Sequence, residues 1–212
     1  MDSKEKLKKF WRNKRVFITG HTGFKGSWMS ILLNMLDAKI YGYSLMPNKK
    51  SLFNQAKCKN FLKANFYGDI NNYNNLKKKL LITKPNILFH LAAQPLVLKS
   101  FDDPLETFQT NIIGTANVLN AIRDIPSLKS IVIITTDKVY KIKYSNKKYK
   151  ELDELGGKDP YSVSKVCAEH LTISFIESFY KKKILKIKFQ QQDLGTSLVV
   201  EIIQKIDCYL IS

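Results

Sequence analysis

The sequence has little cysteine and no long apolar run. Its three cysteines, Cys58, Cys167 and Cys208, lie far apart, and their spacing suits neither a disulfide framework nor a zinc site. No apolar run reaches the length of a membrane span, and the first residues are charged where a signal peptide would be apolar. We therefore expect a soluble protein of the reducing cytoplasm that has no membrane partner and binds no metal.

Acidic residues are scarce relative to basic ones. The 212 residues include 35 Lys and Arg but only 18 Asp and Glu, which gives a formal net charge of +17. Such an excess can mark a surface for nucleic acid or for a membrane. Here the lysines are scattered among many Asn and Ile, as an AT-rich coding sequence produces, and the local clusters 4–9 and 181–188 have no interleaved aromatics. We expect no nucleic-acid partner.

Internal repeats are absent, and the one low-complexity stretch is 141–150. What the chain does have is an alternation of short apolar runs with longer amphipathic stretches. The apolar runs, typical of strands buried on both faces, are 15–19, 39–44, 86–93 and 130–135. The predicted helices are 25–36, 72–83, 104–123 and 160–180, and in the last two Asp103 and Asp159 cap a first-turn proline. This alternation predicts an α/β fold with a doubly wound parallel sheet.

Glycines are few, yet three of them fall at the turn from the first strand to the first helix. Gly20, Gly23 and Gly26 have the spacing GxxGxxG. One glycine tolerates unusual dihedrals, the second lets an anionic group approach the backbone, and the third lets helix and strand pack closely. The helix N-terminus then offers free N–H groups to a pyrophosphate. The pattern predicts a dinucleotide-binding turn, and a glycine-rich turn without a chemical role is the alternative.

The usual acidic residue at the end of the second strand is missing. It would grip the adenosine ribose and should fall near Tyr43 or Ser44. No arginine stands there for a 2′-phosphate either, so the choice between NAD and NADP stays open on this criterion. Asp69 belongs to GDI (68–70), which we expect to end a third strand between the runs 39–44 and 86–93. Its carboxylate would contact the adenine edge there or cap the next helix.

Tyr161 and Lys165 lie four residues apart at the start of a predicted helix, on the same face. A phenol with a pKa near 10 is a poor base, but a neighbouring ammonium group stabilises the phenolate and lowers that pKa. The pair fits proton transfer, although a surface pair without function has the same spacing. Thr136, Asp137 and Lys138 follow the fourth apolar run, at the sheet edge where doubly wound folds bind ligands.

Together these motifs resemble the extended short-chain dehydrogenase/reductase family. The resemblance is carried by TGHTGFKG (19–26), HLAAQP (90–95), TNIIGTANVL (110–119), TTDKVY (135–140) and DPYSVSKVCAE (159–169). Within that family the chain looks most like the nucleotide-sugar 4,6-dehydratases. Lys138, Pro95 and Leu96 favour the CDP-sugar branch over the dTDP-sugar branch. The resemblance runs from about Phe10 to about Lys188.

The resemblance implies a bound NAD and a role for each site residue. NAD would contact Gly20, Gly23, Phe24, Gly26, Asp69, Ile70, Leu91, Ala92, Ala93, Tyr161 and Lys165. Tyr161 would take the proton of the 4-hydroxyl of CDP-glucose or a similar sugar while the C4 hydride passes to NAD+, with Thr136 holding that oxygen. Lys165 would bind the nicotinamide ribose and keep Tyr161 ionised. Asp137, assisted by Lys138, would act as acid when water is lost across C5 and C6, and the hydride would then return to C6.

The resemblance also implies a homodimer and a place in lipopolysaccharide O-antigen biosynthesis. The predicted helices 104–123 and 160–180 would pair with their copies. Ile112, Val118, Leu119 and Ile122 form more than one apolar stripe, which a helix covered on one face would not need.

The residues after Lys188 do not fit the resemblance. Read one base out of frame, suitable synonymous codons for 189–211 encode STTRLGNVIGGGDYSKNRLLPD, which is what the family has at this point. We therefore predict a dinucleotide-binding domain at 1–188 and an out-of-frame tail at 189–212, and the substrate region would then be largely missing and activity doubtful. A genuine C-terminal strand and helix is the alternative. The competing functions are a nucleotide-sugar 4-epimerase, which needs no acid such as Asp137, and an inactive NAD-binding remnant.

Overall fold

A seven-stranded sheet forms the centre of the computed structural model, which describes residues 2–141, 149–150, 153–180, 186–192 and 195–201. The strands are β1 (Arg15–Thr19), β2 (Lys39–Ser44), β3 (Leu62–Tyr67), β4 (Ile87–His90), β5 (Ser130–Ile134), β6 (Lys186–Gln192) and β7 (Gly195–Glu201). Their order is β3-β2-β1-β4-β5-β7-β6. The first five are parallel, and the order 3-2-1-4-5 is that of a doubly wound α/β sheet. The predicted fold class is confirmed.

Helices precede, connect and follow the parallel strands. They are α1 (Ser3–Trp11), α2 (Phe24–Met35), α3 (Leu52–Gln55), α4 (Tyr73–Thr83), α5 (Val97–Asp102), α6 (Pro104–Phe108), α7 (Gly114–Ala121) and α8 (Pro160–Phe175). Short 3₁₀ turns occupy Cys58–Phe61, Ile122–Asp124 and Asp137–Val139, and π turns occupy Gln109–Ile113 and Ile176–Tyr180. All four predicted helices are present, within one or two residues of the predicted limits.

The predicted helix 104–123 is not one regular α-helix. It consists of α6, a π turn, α7 and a 3₁₀ turn in succession. Within the π turn, the buried Asn111 side chain accepts from the Gln94 N–H at 2.8 Å and donates to the Gln94 carbonyl and to the Ser164 hydroxyl. These bonds tie the segment after β4 to α8 and stabilise the wider turn.

Side-chain caps fix the starts of α6 and α8, as predicted. Asp103 accepts from the Glu106 N–H at 2.9 Å, and Asp159 accepts from the Ser162 N–H at 2.9 Å. The Ser162 hydroxyl in turn accepts from the Asp159 N–H, which completes a capping box. These are local interactions, so the sequence alone could reveal them.

Two apolar clusters cover the two faces of the sheet. Val16 and Ile18 of β1 belong to one cluster, and Phe17 belongs to the other, because successive side chains of a strand point to opposite faces. The second cluster also includes Val118, Leu119 and Ile122, which are therefore covered by the chain's own core. The argument that these three residues form extra stripes for a partner was wrong. Ile112, the fourth residue of that argument, is partly exposed.

The strands β6 and β7 form an antiparallel pair, and β7 also pairs antiparallel with β5. β6 crosses the predicted boundary between residues 188 and 189, and the out-of-frame origin of the tail stays a prediction. Cys208 and most of the low-complexity stretch lie outside the described residues. In the parts of the chain described here, no helix is both long and apolar enough to cross a membrane.

Three further helices had no counterpart in the prediction. α1 has no buried residue, and of its short apolar stripe Leu7, Phe10 and Trp11 only Trp11 is partly buried against the core. α3 and α5 have only four and six residues, too few to show a helical period. Their placement depends on the elements that they contact.

Candidate functional site

A cavity of about 570 Å³ lies at the carboxyl ends of the parallel strands. It is lined by all the residues predicted to contact a cofactor, namely Gly20, Gly23, Phe24, Gly26, Asp69, Ile70, Leu91, Ala92, Ala93, Tyr161 and Lys165. These residues come from three strand ends and two helix starts, so only the fold could bring them together. Ligands bind at this edge in open α/β sheets, at the point where the strand order reverses.

The glycine loop needs glycine at two positions for the sake of its own backbone. Gly20 has a φ of +75°, and a Cβ there would lie 2.6 Å from the Ala92 nitrogen. A Cβ on Gly26 would overlap the Gly20 carbonyl oxygen. Gly20 donates its N–H to the Tyr43 carbonyl at 2.9 Å, which fixes the loop to the end of β2. At these positions any side chain disturbs the turn itself.

Gly23 is different because its surroundings are open. It is exposed, its φ is −73°, and a Cβ would approach only the Gly20 carbonyl oxygen, at 3.3 Å. Gly23 is the N-cap of α2, so the first N–H groups of that helix have no acceptor within the helix. A side chain at Gly23 would occupy the cavity where these donors meet an anion.

The loop after β4 is held in place by a buried histidine that the sequence analysis missed. The His90 Nδ1 lies 2.7 Å from the Thr19 hydroxyl, and the His90 Nε2 lies 3.1 Å from the Thr115 hydroxyl. Because Thr115 donates its own proton to the Asn111 carbonyl, it accepts from His90 Nε2. Thr19 then donates to Nδ1 and accepts the Ala92 N–H at 3.3 Å.

This arrangement requires a neutral His90. Burial lowers the pKa of His90 to about 3, and the charge of Lys165 acts in the same direction. The neutral ring therefore links β1 and β4 to Thr115 of α7, next to the loop 91–93 that lines the cavity. A histidine within an otherwise apolar strand was the only available signal in the sequence, and it does not say which groups the ring contacts.

The end of the cavity next to β2 and β3 has hydroxyl groups and one exposed carboxylate. Ser44 and Thr22 share a hydrogen bond of 2.7 Å, and Thr22 donates to the Leu45 carbonyl at 3.0 Å. The Asp69 carboxylate accepts from the Asn71 N–H at 2.8 Å. The cap of α4 is Asn72, so the alternative in which Asp69 caps that helix was wrong.

Lys165 is buried beside the cavity. Its ammonium group donates to the Ile134 carbonyl at 3.1 Å, at the end of β5. The pKa of Lys165 is lowered to about 8, mainly by burial and to a lesser extent by the nearby charge of Lys25, while the charge of Glu169 opposes both. Lys165 is thus a cation whose charge depends on its immediate neighbours.

Tyr161 departs from the expectation that its pKa is lowered. Its N–H donates to the Ser100 hydroxyl at 3.2 Å, which holds the start of α8 against α5. Burial raises the pKa of Tyr161; a hydrogen bond with Thr136 opposes this, and the charge of Asp137 adds to it. The Lys165 ammonium group donates to the Ile134 carbonyl rather than to the phenol oxygen.

The three polar residues after β5 lie on the Tyr161 side of the site. Thr136 donates to the Asp137 carboxylate at 3.1 Å and accepts from the Lys138 N–H at 3.4 Å, as the cap of a 3₁₀ turn. Thr136 and Asp137 are thus brought to Tyr161, and Lys138 is exposed at the rim. None of the three lines the cavity itself. In the described part of the chain, no group of three or more His, Cys, Asp or Glu could hold a metal ion.

Both the sequence and the fold of this chain are similar to those of known proteins. The chain is 40% identical over 193 residues to the CDP-glucose 4,6-dehydratase of Salmonella typhimurium, a match that covers 91% of this chain and 52% of the relative. The structure of MoeE5 in complex with UDP-glucose and NAD is 25% identical, with a TM-score of 0.62 over 76% of this chain and 48% of that one. The dTDP-glucose 4,6-dehydratase of Bacillus anthracis, 23% identical with a TM-score of 0.64 over 78% of this chain and 51% of that one, shares the fold.

The chain spans about half the length of the known relatives that it matches. The family model described as GDP-mannose 4,6 dehydratase matches residues 17–207, which is most of the sequence. On the strength of that match, this chain belongs to the GDP-mannose 4,6-dehydratase family.

Proposed function

We propose that the cavity binds NAD(H). The observation that carries this proposal is the glycine loop: the open position at Gly23 faces the unpaired N–H groups of α2, where a pyrophosphate would be held. The fit extends to both ends of the cavity, with Asp69 and Ser44 at the adenosine end and Lys165 at the other. The similarity to MoeE5, whose structure contains NAD, supports the same ligand.

We further propose that the whole protein acts as a nucleotide-sugar 4,6-dehydratase. NAD, when bound, would supply a hydride acceptor that later returns the hydride. The chain's own residues would move the protons. The Tyr161 hydroxyl would take the proton of the sugar 4-hydroxyl, and the Thr136 hydroxyl, which already bonds with Tyr161, would hold the same oxygen. Asp137, next in the chain, would be the acid for the loss of water, with Lys138 beside it.

The proposed substrate is CDP-glucose, and the proposed product is CDP-4-keto-6-deoxyglucose. The similarity to the Salmonella dehydratase supports this choice, as do Lys138, Pro95 and Leu96. A nucleotide-sugar 4-epimerase is the second candidate, since it would use the same loop and the same Tyr161 and Lys165. The proximity of the Asp137 carboxyl group to Tyr161 favours the dehydratase, because an epimerase eliminates no water.

The test is incubation of the protein with NAD+ and CDP-glucose. We expect little or no turnover by the 212-residue chain, because the region that would hold the nucleotide is largely missing. In the protein whose frame is restored after Lys188 we expect the alkali-induced absorbance of a 4-keto sugar, together with the loss of one water from the nucleotide sugar in the mass spectrum. Interconversion of 4-epimers without loss of water would instead identify an epimerase. Binding of NAD without any change in the sugars offered would identify an NAD-binding remnant.

We also propose a homodimer through the outer faces of the helices 97–124 and of α8. The buried positions named above are excluded, but other large apolar side chains on these helices are exposed. They are Leu98, Phe101, Leu105, Ile113, Ile173 and Phe179. We expect a mass of twice the chain by light scattering at micromolar concentration, and Leu105→Glu should shift it to that of a single chain. A strictly monomeric mass for the unchanged protein would contradict the proposal.

The out-of-frame origin of residues 189–212 is proposed on the codon argument alone. It is tested by an independent read of the nucleotide sequence across codons 180–212, in which a shifted frame should encode the family's continuation. An unbroken frame without that continuation would contradict it. Location in the cytoplasm, the absence of a nucleic-acid partner and a place in O-antigen biosynthesis stay predictions.

A further inference from the structure

Glu169 is a buried carboxyl group to which the mechanism above gives no role. It lies on α8, one turn after Lys165, and only 7% of the residue is exposed. Burying a carboxylate is costly unless it is hydrogen-bonded or paired with a charge. The Thr135 hydroxyl donates to Glu169 Oε1 at 2.7 Å. Thr135 lines the cavity, so Glu169 lies directly behind the cavity wall.

Lys165 and Glu169 contact consecutive residues at the end of β5. Lys165 donates to the Ile134 carbonyl, and Glu169 accepts from the Thr135 hydroxyl. A lysine four residues before a glutamate is the poorer order for a direct pair on a helix, which agrees with each side chain bonding to the strand instead. The two links join α8 to β5 through side chains of opposite charge.

Few groups near Lys165 stabilise the positive charge of its ammonium group. Lys165 is 6% exposed, and the titratable groups around it are Lys25 from α2, His90 from β4, and Tyr161 and Glu169 from its own helix. Lys25 carries the same charge, His90 is neutral, and the burial of Tyr161 favours its neutral form. Glu169 is therefore the one anion in this set. A nearby anion stabilises a buried ammonium group, and a nearby cation destabilises it.

We propose that Glu169 is a positioning residue for Lys165: its carboxylate, oriented by the Thr135 hydroxyl, is the countercharge that keeps the Lys165 ammonium group protonated beside the cavity. This rests on the proposed function, in which Lys165 lies at one end of the cavity and acts as a cation toward the cofactor. The same hydrogen bond holds Thr135, and therefore its neighbour Thr136, at a fixed distance from α8. Electrostatic and geometric support for the proton-transfer residues thus comes from one buried group.

The test is an NMR titration of the lysine ammonium groups in the full chain without ligand. The Lys165 signal is assigned by its loss in Lys165→Arg. Glu169→Gln keeps the size of the side chain and its acceptor for Thr135, but removes the charge, so we expect the titration midpoint of Lys165 to fall by about one pH unit. Glu177→Gln is the matched control, because it removes an exposed carboxylate from the π turn after α8 and should leave the Lys165 midpoint unchanged.

Substitutions of Thr135 test the same link from the other side. Thr135→Val removes the hydroxyl that orients the Glu169 carboxylate, so we expect the Lys165 midpoint to fall; Thr135→Ser keeps the hydroxyl and should restore it. The double variant Thr135→Val/Glu169→Gln should fall no further than Glu169→Gln alone, because both changes act through one carboxylate.

An unchanged Lys165 midpoint in a folded Glu169→Gln chain would overturn the proposal. If that variant does not fold, an unchanged midpoint in Thr135→Val would overturn it equally, because valine has the shape of threonine. Since no ligand is present, failure of the unchanged chain to bind NAD in a parallel calorimetric titration counts against the proposed function and not against this coupling.

Discussion

Replacement of Gly23 by valine is expected to abolish NAD(H) binding while the chain stays folded. Gly23 has ordinary extended dihedrals, and a Cβ there meets only one atom, the Gly20 carbonyl oxygen at 3.3 Å. The branched side chain would instead fill the space in front of the first N–H groups of α2, where the pyrophosphate is proposed to lie. Isothermal calorimetry should show no heat of binding at NADH concentrations that saturate the unchanged chain.

Two other substitutions separate this effect from damage to the fold. Asn34→Val places the same side chain at an exposed position of α2, away from the cavity, and should leave NADH affinity unchanged. Gly26→Ala should lower the melting temperature instead, because its Cβ would overlap the Gly20 carbonyl. Valine at the N-cap should itself cost only about 1 kcal/mol of folding stability. Full NADH affinity in Gly23→Val would contradict the role given to the loop.

In the protein whose frame is restored after Lys188, Tyr161→Phe is expected to reduce turnover of CDP-glucose by about a hundredfold to ten-thousandfold, the usual contribution of a positioned acid or base. The ring still fills its place at the cavity wall, so NADH affinity should stay within a few-fold of that of the unchanged protein. What is lost is the hydroxyl group that bonds with Thr136 and would accept the sugar proton. The rate should be followed through the alkali-induced absorbance of the 4-keto product.

The control for this substitution is Tyr73→Phe. The Tyr73 hydroxyl of α4 accepts from Asn120 of α7 at 3.0 Å. Tyr73 does not line the cavity, so turnover should be unaffected. The pH profile adds a second check. Because burial raises the pKa of Tyr161, the unchanged enzyme should gain activity as pH rises toward 8, and should lose it again above about 8 as Lys165 gives up its proton. A Tyr161→Phe variant with normal turnover would contradict the mechanism.

Local chemistry explains which elements could be predicted. β1 is a run of buried residues that ends at a glycine, and the starts of α6 and α8 are an aspartate followed by proline. In each case the deciding interactions join residues within a few positions of one another, so they can be read from spacing. The glycine loop belongs to the same class, and so does the placement of Tyr161 and Lys165 on one helical face.

Long-range contacts explain what could not be predicted. His90 contacts Thr19 and Thr115, which are 71 and 25 residues away in sequence. The bonds of Asn111 with Gln94 and Ser164 turn part of a predicted α-helix into a π turn, and they exist only once three segments have packed together. No spacing rule relates such residues, because the fold alone sets their separation.

The direction of the pKa shift at Tyr161 is the clearest example of a property that tertiary structure decides. The sequence by itself determined that a tyrosine and a lysine share one face of a capped helix, after a strand that ends in Thr136 and Asp137. It left undetermined that the lysine bonds with a carbonyl of β5 and that burial outweighs the Thr136 hydrogen bond and raises the pKa of the phenol. The order of the residues along the chain determines which chemical groups lie next to one another in the helix and after the strand. Burial and charge balance, which depend on every packed neighbour, fix their protonation.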